Sequence, residues 1–456
     1  MLKLDSKMVL DQSAVLHGLA KLWITEQVLL SNVIEREEPI HTSVLALMTG
    51  NHHFTLGPPG TAKSQLSHYL AAAFAEYWED EDFYFRKLCT RTMEPDELFG
   101  PRSLKGLEQE DYRRAVDGYL PTARIYHADE IWKCSDAVLN NKLDVLNERL
   151  FRNGRTMLNV PLFSMFASSN ELPENAALAA LYQRIAFRHN VEYVKEPENF
   201  YKMLKMAVAG FSSPPTGSIK LTAPELLQVQ QAVLRVGFDQ EVMRGLWAIR
   251  NELRNGGFLS AMDDRLACWF VDIARAEALY KSFSRVAFEY MDEQGYAVED
   301  YEDASVVAAA LLGTDKKKGA LKGWKLEAVK ADLEDYAPIR HCLWSKVSEI
   351  SKVGQIVLSI AAPMAESLQM KLESANKLVH DLEKAYRAEG KDDKAKMDMA
   401  LDGNQEMTKL VKALEKDLSE QDEPGRRRLV QGVLDKVRSS QARIISEFLG
   451  VDLTKL

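Results

Sequence analysis

The chain has 456 residues, of which 46% are hydrophobic and 27% charged, and 58 Lys and Arg stand against 67 Asp and Glu for a formal net charge of −9. This composition excludes collagen-like, mucin-like and wholly disordered proteins. The acidic balance argues against a general nucleic-acid coat or a binder of anionic membranes. The length predicts two or three domains.

Cysteine usage and hydropathy predict a cytoplasmic protein without a membrane span. The four cysteines lie far apart, with no C-x-x-C motif and no histidine at ligand spacing, which is typical of reduced thiols. A zinc site is therefore not expected. The longest weakly polar stretch, near residues 353–364, is too short to cross a bilayer.

Residues 1–205 are predicted to form a parallel sheet with helices on both faces, because helical segments alternate with short apolar runs. The strand candidates are residues 53–56, 84–89, 124–128 and 162–168. A helix is predicted from about residue 135 to the turn at Asn153-Gly154. Prolines and glycines between about 195 and 220 indicate a domain boundary.

The remainder is predicted to be helical. Residues 218–292 are predicted to form a small helical domain, 293–350 a connector and the start of a further helical domain, and 351–456 an antiparallel bundle that binds a partner. Apolar residues at alternating spacings of three and four define three seams, with Gln441 in a gap of the third: Leu368, Leu372, Ala375, Val379, Leu382 and Tyr386; Met407, Val411, Leu414 and Leu418; Val430, Leu434, Val437, Ile444 and Phe448. Turn-rich breaks between the seams favour helices packed within one chain over a long dimeric coiled coil.

A glycine-rich loop lies between the first strand candidate and a helix. In this context backbone N–H groups and the positive end of the helix surround a polyphosphate, Lys63 reaches the terminal phosphates, and Ser64 binds magnesium. Ala62 stands where the general pattern has glycine, and we expect its φ to remain negative. An ordinary Pro- and Gly-rich turn is the alternative. The loop consists of Gly57, Pro58, Pro59, Gly60, Thr61, Ala62, Lys63 and Ser64.

Polar side chains follow two further strand candidates. Asp129 and Glu130 end the run at 124–128, and we predict that Asp129 holds magnesium while Glu130 polarises the attacking water. His127 is expected to be a buried, hydrogen-bonded imidazole. Asn170 follows the run at 162–168, where it either hydrogen-bonds the water and the γ-phosphate or belongs to a helix-capping loop. Both interpretations of Asn170 remain open from spacing alone.

In this order and spacing, the motifs resemble those of the MoxR group of AAA+ ATPases, and they are most similar to its RavA branch, which shares Ala62. The resemblance is strong over residues 10–200, weak to about 290, and nearly absent beyond, apart from residues 342–344. The strings that carry it are residues 56–64, 90–91, 95–101, 118–121, 129–133, 147–154 and 167–173.

The resemblance implies an AAA+ α/β core with a helical lid, and a homo-hexameric ring that binds ATP and Mg²⁺ between subunits. It implies an arginine supplied by the neighbouring subunit: Arg184 lies at the expected place, although Gln183 replaces the usual Asp, and Arg149 is the alternative. Arg265 resembles the second-sensor arginine, which would contact the γ-phosphate from the lid, and a salt bridge with Asp263 or Asp264 is its alternative. By the same resemblance, residues 104–116 would be an inserted hairpin that faces the pore and contacts the client, and a solvated loop is the alternative.

The function implied is that of an ATP-hydrolysing, chaperone-like machine that remodels a partner protein, in company with a von Willebrand factor A domain protein. An AAA+ motor acting on nucleic acid is the first alternative, although the acidic balance argues against it. A monomeric small-molecule kinase or nucleotide-binding regulator and a scaffold with a vestigial nucleotide domain are the others.

Overall fold

The computed structural model describes residues 8–72, 84–104, 111–134, 138, 144–173, 176–209, 219, 221–258, 262–293, 324–361, 371, 374–382, 393–419 and 424–448. The chain divides into two compact units, residues 1–357 and 358–456. Among the described residues, no helix combines the length and the apolar character that a bilayer span requires.

The first unit is built on a five-stranded parallel sheet. Its strands are β1 (His53–Leu56), β2 (Tyr84–Leu88), β3 (Ile125–Asp129), β6 (Ser164–Ser169) and β7 (Phe187–Asn190), in the spatial order β2-β3-β6-β1-β7. The sequence predicted the first four, to within two residues at their ends. It missed β7, because two of its buried positions hold the polar residues Arg188 and His189 and its FRHN sequence therefore contains no apolar run.

Helices cover this sheet and extend the unit. They are α1 (Gln12–Asn32), α2 (Glu37–Thr49), α3 (Lys63–Ala72), the single turn α4 (Asp96–Phe99), α5 (Ala176–Tyr182), α6 (Pro197–Ala209), α7 (Ala223–Val233), α8 (Gln240–Asn255) and α9 (Asp264–Glu293). Short 3-10 segments follow at Ile131–Lys133, Leu326–Ala328, Leu333–His341 and Val347–Glu349, and α10 spans Ile350–Ala361. The parallel sheet with its covering helices is the predicted α/β fold of an AAA+ core.

The helix predicted to end at Asn153-Gly154 is wrong in its second half. Residues 144–148 are helical, but the chain then forms an antiparallel hairpin of β4 (Leu150–Asn153) and β5 (Thr156–Asn159). Gly154 adopts φ 61° in the turn. The loop of this hairpin consists of Gly154 and Arg155, and glycine at the first loop position is typical of a tight two-residue turn, so this local signal prevails over the leucine periodicity that precedes it.

The boundary predicted near residues 205–218 does not separate compact units. Helix α1 from the start of the chain packs against α7 and α9, which lie beyond that boundary. At the helix junction, Lys21 pairs with Glu225 at 2.7 Å, and the indole of Trp23 donates to Ser284. The N-terminal helix is therefore part of the helical layer that follows the sheet in sequence.

Residues 324–350, predicted as a connector, are instead packed into the first unit. Trp344 belongs to the same buried cluster as Phe54 and Tyr126 of the central strands. The buried guanidinium of Arg188 on β7 donates to the carbonyl oxygens of Cys342 and Trp344 at 2.8 and 3.1 Å. These hydrogen bonds satisfy a charge that would otherwise be costly to bury, so the segment is fixed to the sheet.

The second unit is an antiparallel helical bundle. Its longest helices are α11 (Asp393–Ser419) and α12 (Pro424–Arg443), followed by a π-helical turn at Ile444–Phe448, and residues 374–382 form a further helix. Its core contains members of all three predicted seams, and Leu368, Leu372 and Tyr386 lie outside the described residues. Gln441 fills the gap in the third seam by donating to Asn404 and Thr408 on α11. The buried core residues are Ala375, Val379, Leu382, Ala400, Met407, Leu414, Leu434, Val437 and Ile444.

Candidate nucleotide-binding site

The carboxyl ends of three neighbouring strands bring the predicted phosphate-site residues together. β1 and β6 are in register at Leu56 and Ser169, and β3 pairs with β6 on its other side. Because parallel strands end at one edge of the sheet, the loop after β1, Asp129 at the end of β3 and Asn170 after β6 all meet there. We call this the carboxyl edge. Sequence spacing placed each residue at the end of its strand, and the strand order makes them neighbours.

Asp129 is held between two serine hydroxyls. Ser64 Oγ donates to Asp129 Oδ2 at 3.0 Å, and Ser168 Oγ donates to Oδ1 at 2.6 Å. Burial raises the pKa of Asp129, but these hydrogen bonds and the charge of Arg86 outweigh it and lower the pKa below its usual value. An ionised carboxylate beside a serine hydroxyl supplies the oxygen ligands that magnesium prefers, so the two residues fit the predicted metal side.

Lys63 folds back onto its own loop. Its ammonium donates to the carbonyl oxygens of Gly57 and Pro58 at 2.7 Å each, and to Asn170 Oδ1 at 3.0 Å. Partial burial lowers the pKa of Lys63, while Glu130 and Asp129 oppose that shift. The ammonium therefore lies in the mouth of the loop, within reach of groups on two strands.

Glu130 and Asn170 are joined by a direct hydrogen bond. Asn170 Nδ2 donates to Glu130 Oε1 at 2.7 Å, while Oε2 lies 3.4 Å from Ser169 Oγ and 3.3 Å from the ammonium of Lys133. Glu130 adopts φ 52°, a left-handed conformation that is unfavourable for a residue with a Cβ. Strain of this kind concentrates at functional sites, where the surrounding structure enforces it.

Three residues of the loop have an unusual backbone geometry or an unusually close backbone contact. A Cβ at Gly57 would lie 2.1 Å from the carbonyl oxygen of Val191, which explains why glycine is required there. Gly60 has φ 82°. Ala62 has φ 64°, so the expectation of a negative φ at this residue is wrong. The loop keeps the conformation that glycine would have adopted, at a cost of roughly 1 kcal/mol.

Arg36 braces the loop from outside and was missed by sequence reasoning. It is buried, and its guanidinium donates to the carbonyl oxygens of Glu192 and Glu35 at 2.6 Å each and to Thr61 at 3.4 Å. Burial is the main cause of its lowered pKa. A lone arginine before α2 gives no sequence signal of this role, because its three acceptors come from separate segments.

Two further side chains flank Asp129. Arg86 on β2, also missed, approaches Asp129 Oδ2 at 3.5 Å. His127 is buried, and its Nδ1 lies 3.0 Å from the hydroxyl of Tyr84. Burial lowers the pKa of His127 to about 4, so the ring is neutral, as expected for a buried imidazole. The Arg-Lys pair in β2 was visible in the sequence, but only the β2-β3 pairing brings it to Asp129.

An apolar cavity of about 460 Å³ lies beside the loop. Gly60, Thr61 and Ala62 form one wall, and α6 contributes another. Sequence reasoning did not identify it, because its lining comes from four separate segments. The remaining lining includes Val33, Ile34, Tyr69, Tyr193, Phe200, Met203 and Met206.

The predicted arginines lie at the opposite edge of the sheet, where strands β1 and β6 begin. We call this the amino edge. Arg149, Arg184 and Arg265 line one cavity of about 520 Å³ together with Gly50 before β1 and Phe163 before β6. A strand of four residues spans about 13 Å at 3.3 Å per residue, so the two edges are distinct sites.

Arg149 is committed to contacts within its own chain. Its guanidinium donates to the carbonyl oxygens of Leu146, Gly50 and Phe163, and approaches Nε2 of His52 at 3.1 Å. Burial lowers the pKa of Arg149 to about 10. Arg149 therefore has a structural role, because its hydrogen bonds connect the end of helix 144–148 to the residues that precede β1 and β6.

Arg184 and Arg265 face each other more openly. Partial burial is the main cause of the lowered pKa of Arg184, followed by the charge of Arg265. The expected partners of Arg265 are engaged elsewhere: Asp264 pairs with Arg250 at 2.8 Å, and Asp263 caps the first turn of α9. The structure places Arg265 in the cavity of the amino edge, apart from Lys63 of the same chain.

Comparison with known proteins gives the family. A family model described as the MoxR domain in the MoxR-vWA-beta-propeller ternary systems matches residues 20–231. An uncharacterized protein of Methanocaldococcus jannaschii, MJ0079, is 30% identical over 371 residues, which is 81% of each chain. A second protein of that organism, the uncharacterized MJ0812, is 41% identical over 177 residues, which is 39% of this chain and 46% of the relative.

A solved structure from Cytophaga hutchinsonii aligns with a TM-score of 0.46 and 16% identity, and the alignment covers 64% of this chain and 95% of that one. The matched MoxR segment contains the loop, Asp129, Glu130, Asn170 and Arg184. The relative with 30% identity extends the similarity over most of the chain. Residues 20–231 therefore belong to the MoxR family of AAA+ ATPases.

Proposed function

We propose that this protein binds ATP with Mg²⁺ at the carboxyl edge and hydrolyses it between adjacent copies in a homo-hexameric ring, in order to remodel or activate a partner protein. The single observation that carries the proposal is the contact of Ser64 with Asp129 at 3.0 Å. This contact joins the first turn of α3 to the end of β3, at the point where a triphosphate and its metal would be held.

Each residue at this edge has a distinct task. Lys63 would exchange its contacts with the Gly57 and Pro58 carbonyl oxygens for the terminal phosphates of ATP, which are stronger acceptors. Ser64 and Asp129 would hold the metal that arrives with the nucleotide. Glu130 would accept a proton from the attacking water, and Asn170 would keep that carboxylate oriented.

The base would occupy the cavity of about 460 Å³ beside the loop. Its walls are mainly apolar and aromatic, as in most sites for planar ligands, and it opens against Gly60 and Thr61 of the phosphate loop. Arg36 would act as a positioning residue, because it fixes Thr61 in the wall shared by the base and the phosphates.

The arginines of the amino edge would complete the site of a neighbouring copy. Arg184 and Arg265 share a cavity remote from Lys63 of their own chain, so a role in hydrolysis requires a second subunit. An arginine that neutralises charge on the transferred phosphoryl accelerates hydrolysis by roughly 10³ to 10⁵ in other NTPases. We assign this role to Arg184, with Arg265 beside it, rather than to Arg149, whose guanidinium is engaged by backbone carbonyls.

The partner is proposed to be a protein. The family description names ternary systems with a von Willebrand factor A domain component, which supports such a partner here, and the RavA-like motifs support a chaperone-like activity in the cytoplasm. We propose that the core of residues 1–205 and the helical lid of 218–292 perform the ATPase cycle, and that the bundle of 351–456 contacts the client. Comparing partners captured by full-length Glu130→Gln with those captured by the same variant lacking residues 358–456 tests the last assignment.

ATP hydrolysis by the purified chain tests the central proposal. Lys63→Ala should abolish nucleotide binding and turnover, whereas Lys195→Ala, which removes an exposed lysine paired with Glu192, should change neither. Light scattering with ATP should detect an assembly larger than a dimer. Equal turnover in the two variants would refute the role assigned to the loop. A monomer under all nucleotide conditions would refute the ring. Stimulation of hydrolysis by single- or double-stranded nucleic acid would favour the alternative, a motor that acts on nucleic acid.

A further inference from the structure

A second cluster of polar side chains lies away from the nucleotide site, where α2, β7 and the segment Leu333–His341 meet. Glu38 is in the first turn of α2, His189 is on β7 and His341 ends the 3-10 segment. One ligand atom from each of the three lies within 4.8 Å of the other two. His341 Nε2 is 3.2 Å from Glu38 Oε2.

The two imidazoles are held rigidly. The rings of His189 and His341 stack with centroids 4.2 Å apart, and the rings of His189 and His53 stack with centroids 5.1 Å apart. The hydroxyl of Thr42 lies 2.6 Å from Nε2 of His189. A hydrogen bond of this kind fixes the orientation of a histidine ring, as the outer contacts of metal-binding histidines do.

The cluster is also accessible. Glu38, His189 and His341 line a cavity of about 480 Å³, and Glu38 and His341 also line a second cavity of about 620 Å³. An ion could therefore reach the three side chains from the adjoining space.

We propose that Glu38, His189 and His341 form a binding site for a first-row divalent transition-metal ion such as Zn²⁺ or Co²⁺. Two imidazoles and one carboxylate suit these ions, whereas Mg²⁺ and Ca²⁺ prefer oxygen ligands. Three protein ligands leave a fourth position for water from the adjoining cavity. The sequence offered no sign of this site, because residues 38, 189 and 341 are brought together only by the fold.

The bound ion would tie the segment after the long helix α9 to the elements that support the phosphate loop. Glu38 follows Arg36, which donates to Thr61 of that loop, and β7 leads directly to Val191, whose carbonyl oxygen packs against Gly57. Binding would thus stabilise the first unit without entering the nucleotide site. Arg340 competes for the same carboxylate, since its guanidinium donates to Glu38 Oε1.

The test uses the full-length, untagged chain, freed of metal by a chelator and kept free of nucleotide. Titration with Co²⁺ should give the visible absorption of a nitrogen-bound ion at one equivalent, Zn²⁺ should displace it, and excess Mg²⁺ should not. Zn²⁺ should also raise the unfolding temperature. Glu38→Gln and His341→Ala should each weaken Co²⁺ binding at least about tenfold.

Three variants sharpen this test. His17→Ala removes an exposed histidine on α1 and should leave the affinity unchanged. Arg340→Gln frees Glu38 from its competing ion pair and should tighten binding. Glu38→Gln preserves the shape of the side chain. Far-UV circular dichroism and a nucleotide-binding assay check that this variant is folded. The metal site can therefore be tested even if His341→Ala does not fold.

Several results would overturn the proposal. They are the absence of saturable Co²⁺ binding to the wild-type chain, wild-type affinity in Glu38→Gln, equal losses in His17→Ala and His341→Ala, or unchanged affinity in Arg340→Gln.

Discussion

The two edges of the sheet use charge in opposite ways. At the carboxyl edge, the ammonium of Lys63 donates a hydrogen bond to Asn170, and the amide of Asn170 donates one to Glu130. At the amino edge, Arg184 and Arg265 share a cavity, and partial burial together with the charge of Arg265 lowers the pKa of Arg184. Two positive charges placed close together are stabilised when an anion binds beside them. In the proposed function, that anion is the nucleotide bound at the carboxyl edge of a neighbouring copy.

Under the proposed function, this difference would make one subunit an incomplete enzyme. The carboxyl edge holds the proposed metal ligands, the proposed base and Lys63, whereas the arginines of the amino edge lie about a strand's length away among the described residues. Each edge would become complete only against the other edge of a neighbouring copy.

The largest effect is expected at the amino edge. Arg184→Ala should lower ATP hydrolysis by roughly 10³ to 10⁵, because the charge on the transferred phosphoryl would lose its neutralising partner. Nucleotide binding should remain nearly normal, since the loop is intact. Steady-state hydrolysis at saturating ATP and binding of a fluorescent nucleotide measure the two properties, and Arg254→Ala, at an exposed arginine of α8, is the matched control.

Mixing variants makes the same prediction specific to neighbouring copies. Arg184→Ala keeps an intact loop and Lys63→Ala keeps an intact arginine, so mixed assemblies should regain part of the activity that each lacks alone. If activity does not return on mixing, Arg184 does not act across the subunit boundary.

At the carboxyl edge, Glu130→Gln should lower single-turnover hydrolysis by about 10² to 10⁴, because glutamine cannot accept the proton of the attacking water. ATP binding should be retained. Glu171→Gln, at an exposed carboxylate next to Asn170, should have almost no effect. Substantial turnover in Glu130→Gln would assign the base to another residue.

The main expected effect of Arg149→Ala is a loss of folding stability rather than a direct loss of ATP hydrolysis. Removing the guanidinium leaves the carbonyl oxygens of Gly50 and Leu146 without this donor, so we expect a loss of about 2 to 4 kcal/mol in the free energy of unfolding. Urea unfolding measures the loss, with Arg155→Ala, at an exposed residue of the β4-β5 turn, as control. Normal stability together with turnover restored by mixing with Lys63→Ala would instead make Arg149 the arginine that acts in the neighbour.

The smallest effect is expected in the loop itself. Ala62→Gly should raise the free energy of unfolding by about 0.5 to 1 kcal/mol, because glycine adopts φ 64° without strain but loses more entropy on folding. Ala71→Gly, at the second-to-last residue of α3, should instead lower the free energy of unfolding, because glycine has a poor helix propensity. Thermal unfolding of both variants gives the comparison, and destabilisation by Ala62→Gly would show that the left-handed conformation carries no strain.

The sequence by itself determined the parts of the protein whose signals are local. Short apolar runs predicted four of the five strands of the parallel sheet. The glycine-rich loop before Lys63 predicted a phosphate site, and the three-four spacing predicted the helices of the bundle. Each signal lies within about twenty consecutive residues, so periodicity and turn chemistry are sufficient to find it.

Local signals also misled in identifiable places. Leucine periodicity extended a helix across β4 as far as the hairpin turn at Gly154. The lack of an apolar run concealed β7, whose buried Arg188 donates to the carbonyl oxygens of residues 342 and 344. The polar composition of residues 324–350 suggested a connector, although Trp344 is buried in the core of the sheet.

Only the tertiary structure decided which distant groups became neighbours. The strand order joined Ser64 to Asp129, separated Arg265 from Lys63, and collected Glu38, His189 and His341 from three parts of the chain. Such contacts depend on the packing of whole elements, in which the burial of apolar faces fixes the arrangement and the polar groups must then find partners. No short stretch of sequence contains that information, because the residues involved are up to about three hundred positions apart.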